Sequence, residues 1–465
     1  MKKIILLVGL GLIVFNAFGQ NYHELITDGN YTIQYVSEVA ERHFDSVGRG
    51  RGTGFKIFKR WQYFAEREMD ETGKLKPVEF YYKELENYNA SINSETYAAR
   101  TVVGTWEEMG PTYWNATSGW NPGVGRITSF AVDESNLDHI IAGSETGGVW
   151  KSNDGGTSWS VLTDNLSNID VYSLAIDPTN SMTYYWGSKG GVIFKSIDGG
   201  ATWNLHSSLL GGFVNKILID PTDTAKMYAS VQGNGLYKST DGGLSWSEIY
   251  FFGTGTGYDF EFKPNDPNVV YASGNEFYVS YNGGSSFFQV SGSGVDQFSN
   301  GPKMIGVSAE NPNIVYVLEA NNGVFEALYK SSDSGSNFMK LTHTQNFFGY
   351  DSNGNDTLGQ APRDMDIAVN PNNSNDVHIA GINTWRSTDG GLNFNITSQW
   401  VPSFADNLGI GYCHADVDIM NFVGTGTETK LYVGTDGGIF RTDDPTNVSA
   451  SYYSDLTPGL GIRQF

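Results

Sequence analysis

Three near-copies of one decamer constrain this chain more than any other feature: KSNDGGTSWS at 151–160, KSIDGGATWN at 195–204 and KSTDGGLSWS at 238–247. Weaker copies follow as YVSYNGGSSF at 278–287, YKSSDSGSNF at 329–338 and WRSTDGGLNF at 385–394, with an eroded seventh, IFRTDDPTNVSASYY, at 439–453. The turn residues Asp154, Asp198, Asp241, Asn282, Asp333, Asp389 and Asp443 are spaced 44, 43, 41, 51, 56 and 54 residues apart. Each unit also carries an apolar strand ending in an Asp/Asn-Pro turn, as at Asp177-Pro178, and a second strand ending near a Gly-rich turn such as Thr146-Gly147-Gly148. A third strand (VWKS, IFKS, LYKS) meets a fourth (SWSVL, TWNLH, SWSEI) through the D-G-G hairpin. Four strands per period of this length predict an all-β fold, a β-propeller of at least seven four-stranded blades.

The repeated Asp reads as a turn residue. Its carboxylate can accept hydrogen bonds from nearby backbone N–H groups, and Gly tolerates the positive φ that hairpins require. A catalytic carboxylate would be needed once or twice, not once per repeat. Asp154, Asp198, Asp241, Asp333 and Asp389 are therefore assigned a structural role. Trp159, Trp203 and Trp246, replaced by Phe287, Phe338 and Phe394 in later copies, are expected to anchor each hairpin against its blade.

S-x-D-G-G-x-[ST]-W in successive units resembles the Asp-box, or bacterial neuraminidase, repeat. Sialidases, xyloglucan-degrading glycoside hydrolases and sortilin-like propellers share it. The order GRI (125–127), GYCHADVDIM (411–420), LYVGTDGGIFRT (431–442) and DLTPGLGIRQF (455–465) is similar to the sortilin-like branch of secreted bacterial proteins. That resemblance covers residues 101–465 and implies a propeller fold, which serves enzymes and non-enzymes alike. Xyloglucan-degrading relatives carry an Asp in a T-D-x-G-G segment after a second strand. The matching segments here are SETGG and GTDGG, which makes Glu145 and Asp436 the catalytic candidates; the first has Glu where that family has Asp. The resemblance to sialidases stops at Arg126, Arg363 and Arg463 at first-strand positions, since the R-I-P signature is absent.

Two other constellations could carry function. First strands of later units begin with alternating acids: Asp259 and Glu261, Asp364 and Asp366, then His414, Asp416 and Asp418. Spacing of two puts each set on one strand face, and first strands surround a propeller's channel. These groups are expected to gather at one mouth, paired with Arg363, Lys303 or Arg126. Alternatively, Asp364, Asp366, His414, Asp416 and Asp418 supply ligands for a divalent cation such as Ca²⁺. No cofactor is otherwise required. In GPTYWNATSGWNPGVG (110–125), Tyr113, Trp114 and Trp120 stand in a Gly/Pro/Asn-rich loop, where exposed rings suit stacking on a sugar face or a protein hot spot.

The ends differ in kind. Lys2 and Lys3 precede an apolar run from Ile4 to Phe15, with Ala17-Phe18-Gly19 as a cleavage site, so residues 1–20 read as a secretory signal peptide. Residues 21–100 carry apolar and aromatic residues at helical spacing and form an expected helical N-terminal region, with Arg49, Arg51, Lys56, Lys59 and Arg60 as its basic patch. At the other end GIRQF resembles the opening strand of a further blade, so the propeller reads as cut short. TWEEMGP (105–111) resembles a fourth strand of the sort that closes a ring by joining the last blade.

A net charge of −22 argues against nucleic acid as a partner. No later segment approaches 18 uninterrupted apolar residues, so membrane insertion is not expected. Cys413 is the single cysteine, which rules out an intrachain disulfide. The chain thus reads as a secreted or cell-surface propeller that binds a protein or glycan ligand. The alternative is an extracellular glycoside hydrolase acting on a polysaccharide. HExxH, P-loop and dinucleotide fingerprints are absent.

Overall fold

The computed structural model describes residues 22–50, 53–92, 112–113, 121–209, 211–249, 256–292 and 296–462. The chain divides into two units, residues 1–76 and 77–465. The first contains helices Tyr22–Asp28, Ile33–Val47 and Phe55–Glu68. Thr32 caps the second of these, its Oγ1 accepting from Tyr35 N at 3.2 Å. Tyr22, Ala40, Phe44 and Phe58 form the small core of this unit. Its basic residues are partly spent internally: Arg49 donates to Glu41 and Asp45, each at 2.7 Å, and Lys59 to Glu41 at 2.5 Å. Arg51 lies outside the described residues.

The second unit opens with helix Val78–Ile92, so the break falls at Lys76/Pro77 and not near residue 100. The reason is local: the Tyr82 hydroxyl donates to Trp203 O at 2.6 Å, and its ring meets Phe194 at 5.7 Å between centroids. Seven four-stranded antiparallel sheets follow. The first comprises Ser129–Asp133, Asn136–Ser144, Gly148–Ser152 and Ser160–Val161, paired in chain order. The innermost strands of the other six are Ser173–Asp177, Phe213–Ile219, Asp259–Lys263, Lys303–Val307, Asp366–Val369 and Val417–Val423. Each lies beside the next, and that of blade 7 lies beside that of blade 1.

The ring therefore closes at seven blades, as a propeller. The outer strand of blade 7 is Ser454–Asp455, from its own repeat. Gly461 and Ile462 join no strand; instead Leu460 and Ile462 are fully buried with Ile127, Phe130, Ile140 and Trp150 of blade 1. Residues 105–111 and 463–465 lie outside the described residues.

Six of the seven hairpins are built alike. In blade 1, Ser152 Oγ donates to Asp154 Oδ1 and accepts from Gly156 N, each at 2.8 Å. Asp154 in turn accepts from Ser158 N at 2.8 Å and Ser158 Oγ at 2.6 Å. The same pattern recurs about Asp198, Asp241, Asn282, Asp333 and Asp389. Blade 7 lacks it, and Asp443 pairs with Arg441 instead.

The aromatic residue after each hairpin packs between blades, not only on its own. Trp203 is buried with Ile141 and Val149 of blade 1 as well as Tyr184 and Trp186 of blade 2. Trp159 Nε1 donates to Leu456 O at 2.8 Å, tying blade 1 to blade 7, and Trp246 Nε1 donates to Ser207 Oγ at 3.0 Å on blade 2. Gly200 makes this approach possible: at φ +87° a Cβ there would sit 2.3 Å from Leu162 Cδ1 of blade 1. Antiparallel order then fixes polarity. The starts of the first strands share one end of the ring with the turns between second and third strands, and the hairpins occupy the other end. Among the described residues no helix is long and apolar enough to cross a membrane.

Candidate functional site at the channel mouth

The ring encloses a cavity of about 700 Å³ lined by its innermost strands. At the end holding the first-strand starts, a single guanidinium organises the polar groups. Arg126, just before the first strand of blade 1, is 7% exposed. Its Nε and Nη2 form a bidentate pair with the Asp418 carboxylate, and Nη1 donates to Glu145 Oε2 at 2.7 Å. Asp436 Oδ1 stands 3.2 Å from Nε. Burial opposes the charge on Arg126, but Asp418, Asp436 and Glu145 outweigh it and raise its pKa.

Glu145 is shared further. Its Oε1 accepts from the Tyr172 hydroxyl at 3.0 Å, and half-exposed Arg363 approaches Oε2 at 3.7 Å. The Tyr172 ring lies 4.8 Å from that of Phe213, so the mouth has an aromatic wall. Asp416, in the left-handed region at φ 64°, accepts from Gln360 Nε2 at 3.2 Å. The His414 ring lies so close to Gly437 that a Cβ there would fall 2.2 Å from it.

Asp364 is the exception. It is 1% exposed, and neither carboxylate oxygen has a hydrogen-bond partner among the described residues. Burial, then Asp416, Asp418 and Asp436, push its carboxyl up to about 8. Burial outweighs Arg126 and lifts Asp418 to about 7, and burial also raises Asp416 and Asp436.

Asp366 does not belong to this group. It opens the strand Asp366–Val369, whereas Asp364 lies in the bend before that strand, and the charges acting on it are Asp259 and Lys216, not the Arg126 group. Its Oδ2 accepts from Met420 N at 2.6 Å and Oδ1 from Ile367 N at 2.8 Å, with burial and Asp259 raising its carboxyl to about 7. Asp259 and Glu261 share Lys216, whose Nζ donates to Asp259 Oδ1 at 2.7 Å and to Glu261 Oε1.

The structure thus brings together Glu145, Asp436, Asp364, Asp416 and Asp418, and separates Asp366. Among the described residues no three His, Cys, Asp or Glu side chains are disposed to hold a metal ion. A guanidinium stands where a cation would. Lys303, a suggested partner of these acids, is fully buried against Glu319 at 2.6 Å in blade 5. Tyr113 is 39% exposed and hydrogen-bonded to Asp455, while Trp114 and Trp120 lie outside the described residues. Tyr172, Gln360 and Lys216 were not singled out from the sequence. Tyr172 stands directly before the first strand of blade 2, as Arg126 stands just before that of blade 1.

No protein-family model and no curated protein matches the chain. Solved structures do. The GH74 enzyme of Niastella koreensis aligns with a TM-score of 0.53 and 20% identity over 75% of this chain and 56% of its own. An ancestral GH74 enzyme gives 0.55 and 18% over 72% and 47%. The GH74 xyloglucanase from Xanthomonas campestris gives 0.52 and 15% over 70% and 52%. The chain spans about half the length of these structures. The likeness is one of fold.

Proposed function

We propose that the protein is a secreted recognition propeller that binds a protein or glycan ligand at the Arg126 mouth of its channel, without turning it over. One observation carries this reading. Glu145 and Asp436, the two acids at the positions suggested by xyloglucan-degrading relatives, both converge on the same guanidinium. A glycosidase needs one carboxyl group poised as acid and another free as base or nucleophile on the far side of a sugar. Two acids tied to one arginine are fixed in place as an ion-pair network, which suits a binding surface of defined shape and charge. Export is supported by the signal-peptide pattern of residues 1–20, which lie outside the described residues.

Peptide and glycan arrays probed with the wild-type protein, Glu145→Gln and Asp436→Asn test the site. The reading expects binding in the wild type that falls at least tenfold in either variant. Binding that persists unchanged in both would move the site elsewhere, with Tyr113 the next position to substitute.

A further inference from the structure

We propose that the mouth receives a basic side chain of a polypeptide, a lysine or arginine whose cation is held among Asp364, Asp416 and Asp436. This deepens the recognition reading and rests on it. Five carboxylates, Glu145, Asp364, Asp416, Asp418 and Asp436, gather around the two guanidiniums of Arg126 and Arg363. Arg126 is shared by Asp418, Glu145 and Asp436, and Arg363 leans on Glu145. Asp364 and Asp416 have no guanidinium contact, so the carboxyl groups outnumber the cations beside them.

The independent sign of a ligand is Asp364, whose two buried oxygens have no hydrogen-bond partner among the described residues. Burying a carboxylate so is costly unless a donor or a cation joins it. Above it Asp416 and Asp436, the latter 29% exposed on its side chain, open towards solvent and define the entry. A divalent metal would demand convergent oxygens at about 2.3–2.6 Å, which this set does not offer. An ammonium or guanidinium needs only hydrogen-bond distances and accepts looser geometry.

The rim indicates that the cation arrives on a polypeptide. Gln360, bonded to Asp416, follows closely on Leu358, which is 62% exposed. The insert between blades 6 and 7 adds helix Pro402–Leu408, with Phe404 54% and Leu408 50% exposed. Tyr350 packs edge-on to Trp400 at 6.1 Å, and Trp400 O accepts from Asn121, two residues before Gly123, which lies against Gly437 and His414. Exposed apolar residues beside an acidic pocket suit a chain that carries a basic residue among apolar ones.

Binding is coupled to proton release. Asp364 faces Asp416, Asp418, Asp436 and Arg126, and His414 faces Asp416 and Asp436. An arriving cation favours the ionised acids, so affinity rises with pH until Asp364 would ionise unaided.

The test is calorimetric titration of the full chain at pH 7 with tetralysine and with its fully Nε-acetylated form, in two buffers of different ionisation enthalpy. Expected are binding of tetralysine with net proton release, at least tenfold weaker binding of the acetylated peptide, and at least tenfold loss in Asp364→Asn and in Asp436→Asn. Glu248→Gln, an exposed acid on the outer strand of blade 3, controls for general negative charge and should bind as wild type. Equal binding of the two peptides, or no loss in either Asn variant, overturns the proposal. So does competition of tetralysine by millimolar Ca²⁺ with a Ca²⁺-dependent rise in Tm, which would mark a metal site. If tetralysine fails while an array ligand still needs Glu145, only the charge assignment falls. If neither binds at the mouth, the recognition reading falls with it.

Discussion

Asp364 makes stability depend on pH in a defined direction. An unfolded aspartate ionises near 3.9, whereas the folded protein keeps this proton up to about 8. Between those values the native state binds more protons than the unfolded state, so stability falls as pH rises, by up to about 1.4 kcal/mol per pH unit for one proton. Asp418 and Asp366, both raised to about 7, add to the slope. Asp364→Asn should flatten it and raise Tm at pH 8, as followed by thermal unfolding from pH 5 to 8.5; an unchanged slope would remove the buried proton. The hairpin acids act oppositely. Hydrogen bonds from the turn hold Asp154 and Asp241 at about 2, so the stability they lend is lost as pH falls from about 4 towards 2. Ser152 is buried beneath its turn and bonds Gly156 N and Asp154. Ser152→Ala should therefore cost about 1–3 kcal/mol in denaturant unfolding, and a loss under about 0.5 kcal/mol, the usual range for surface changes, would contradict the assignment.

At the scale of elements, the aromatic residue that ends each hairpin is an inter-blade wedge. Trp203→Ala should destabilise by about 3–5 kcal/mol, whereas Leu244→Ala, 64% exposed on the neighbouring hairpin, should stay within about 0.5 kcal/mol. Similar losses for both would mean that the wedge does not join blades. These elements were legible because the turn chemistry is local: Asp, Gly and Ser at fixed spacing write their own hydrogen bonds. The mouth was legible only in part. The acids of first strands could be placed near the channel from a period of two, and Arg126 was a named partner. Strand bulges then broke the period. The register shifts opposite Asn215, which brings Lys216 to Asp259 and Glu261, and again at Asp418, next to the left-handed Asp416. The separation of Asp364 from Asp366 was invisible too, since nothing in their spacing says that one faces the Arg126 group and the other Asp259 and Lys216.

At the scale of the whole molecule, closure is what turns seven weak sheets into one object. Blade 7 has lost its hairpin hydrogen bonds and is held instead by Trp159, Leu460 and Ile462 against blade 1. Leu460→Ala should cost about 2–5 kcal/mol and lower the midpoint of a single cooperative unfolding transition; an unchanged midpoint would show that closure lies elsewhere. The same closure presents residues from blades 1, 6 and 7 to one Arg126, so the site exists only in the complete ring. Seven similar blades were readable from the repeat, but the way the ends meet was not, because it depends on apolar residues outside the repeated motif. Whether those converging acids bind or cleave decides the account. The most direct measurement is release of reducing sugar from xyloglucan and other soluble polysaccharides by the wild-type protein beside Glu145→Gln and Asp436→Asn. The account predicts no product above the no-enzyme blank from any of the three. Product from the wild type that disappears in either variant would make the Arg126 cluster a catalytic centre and the protein a glycoside hydrolase.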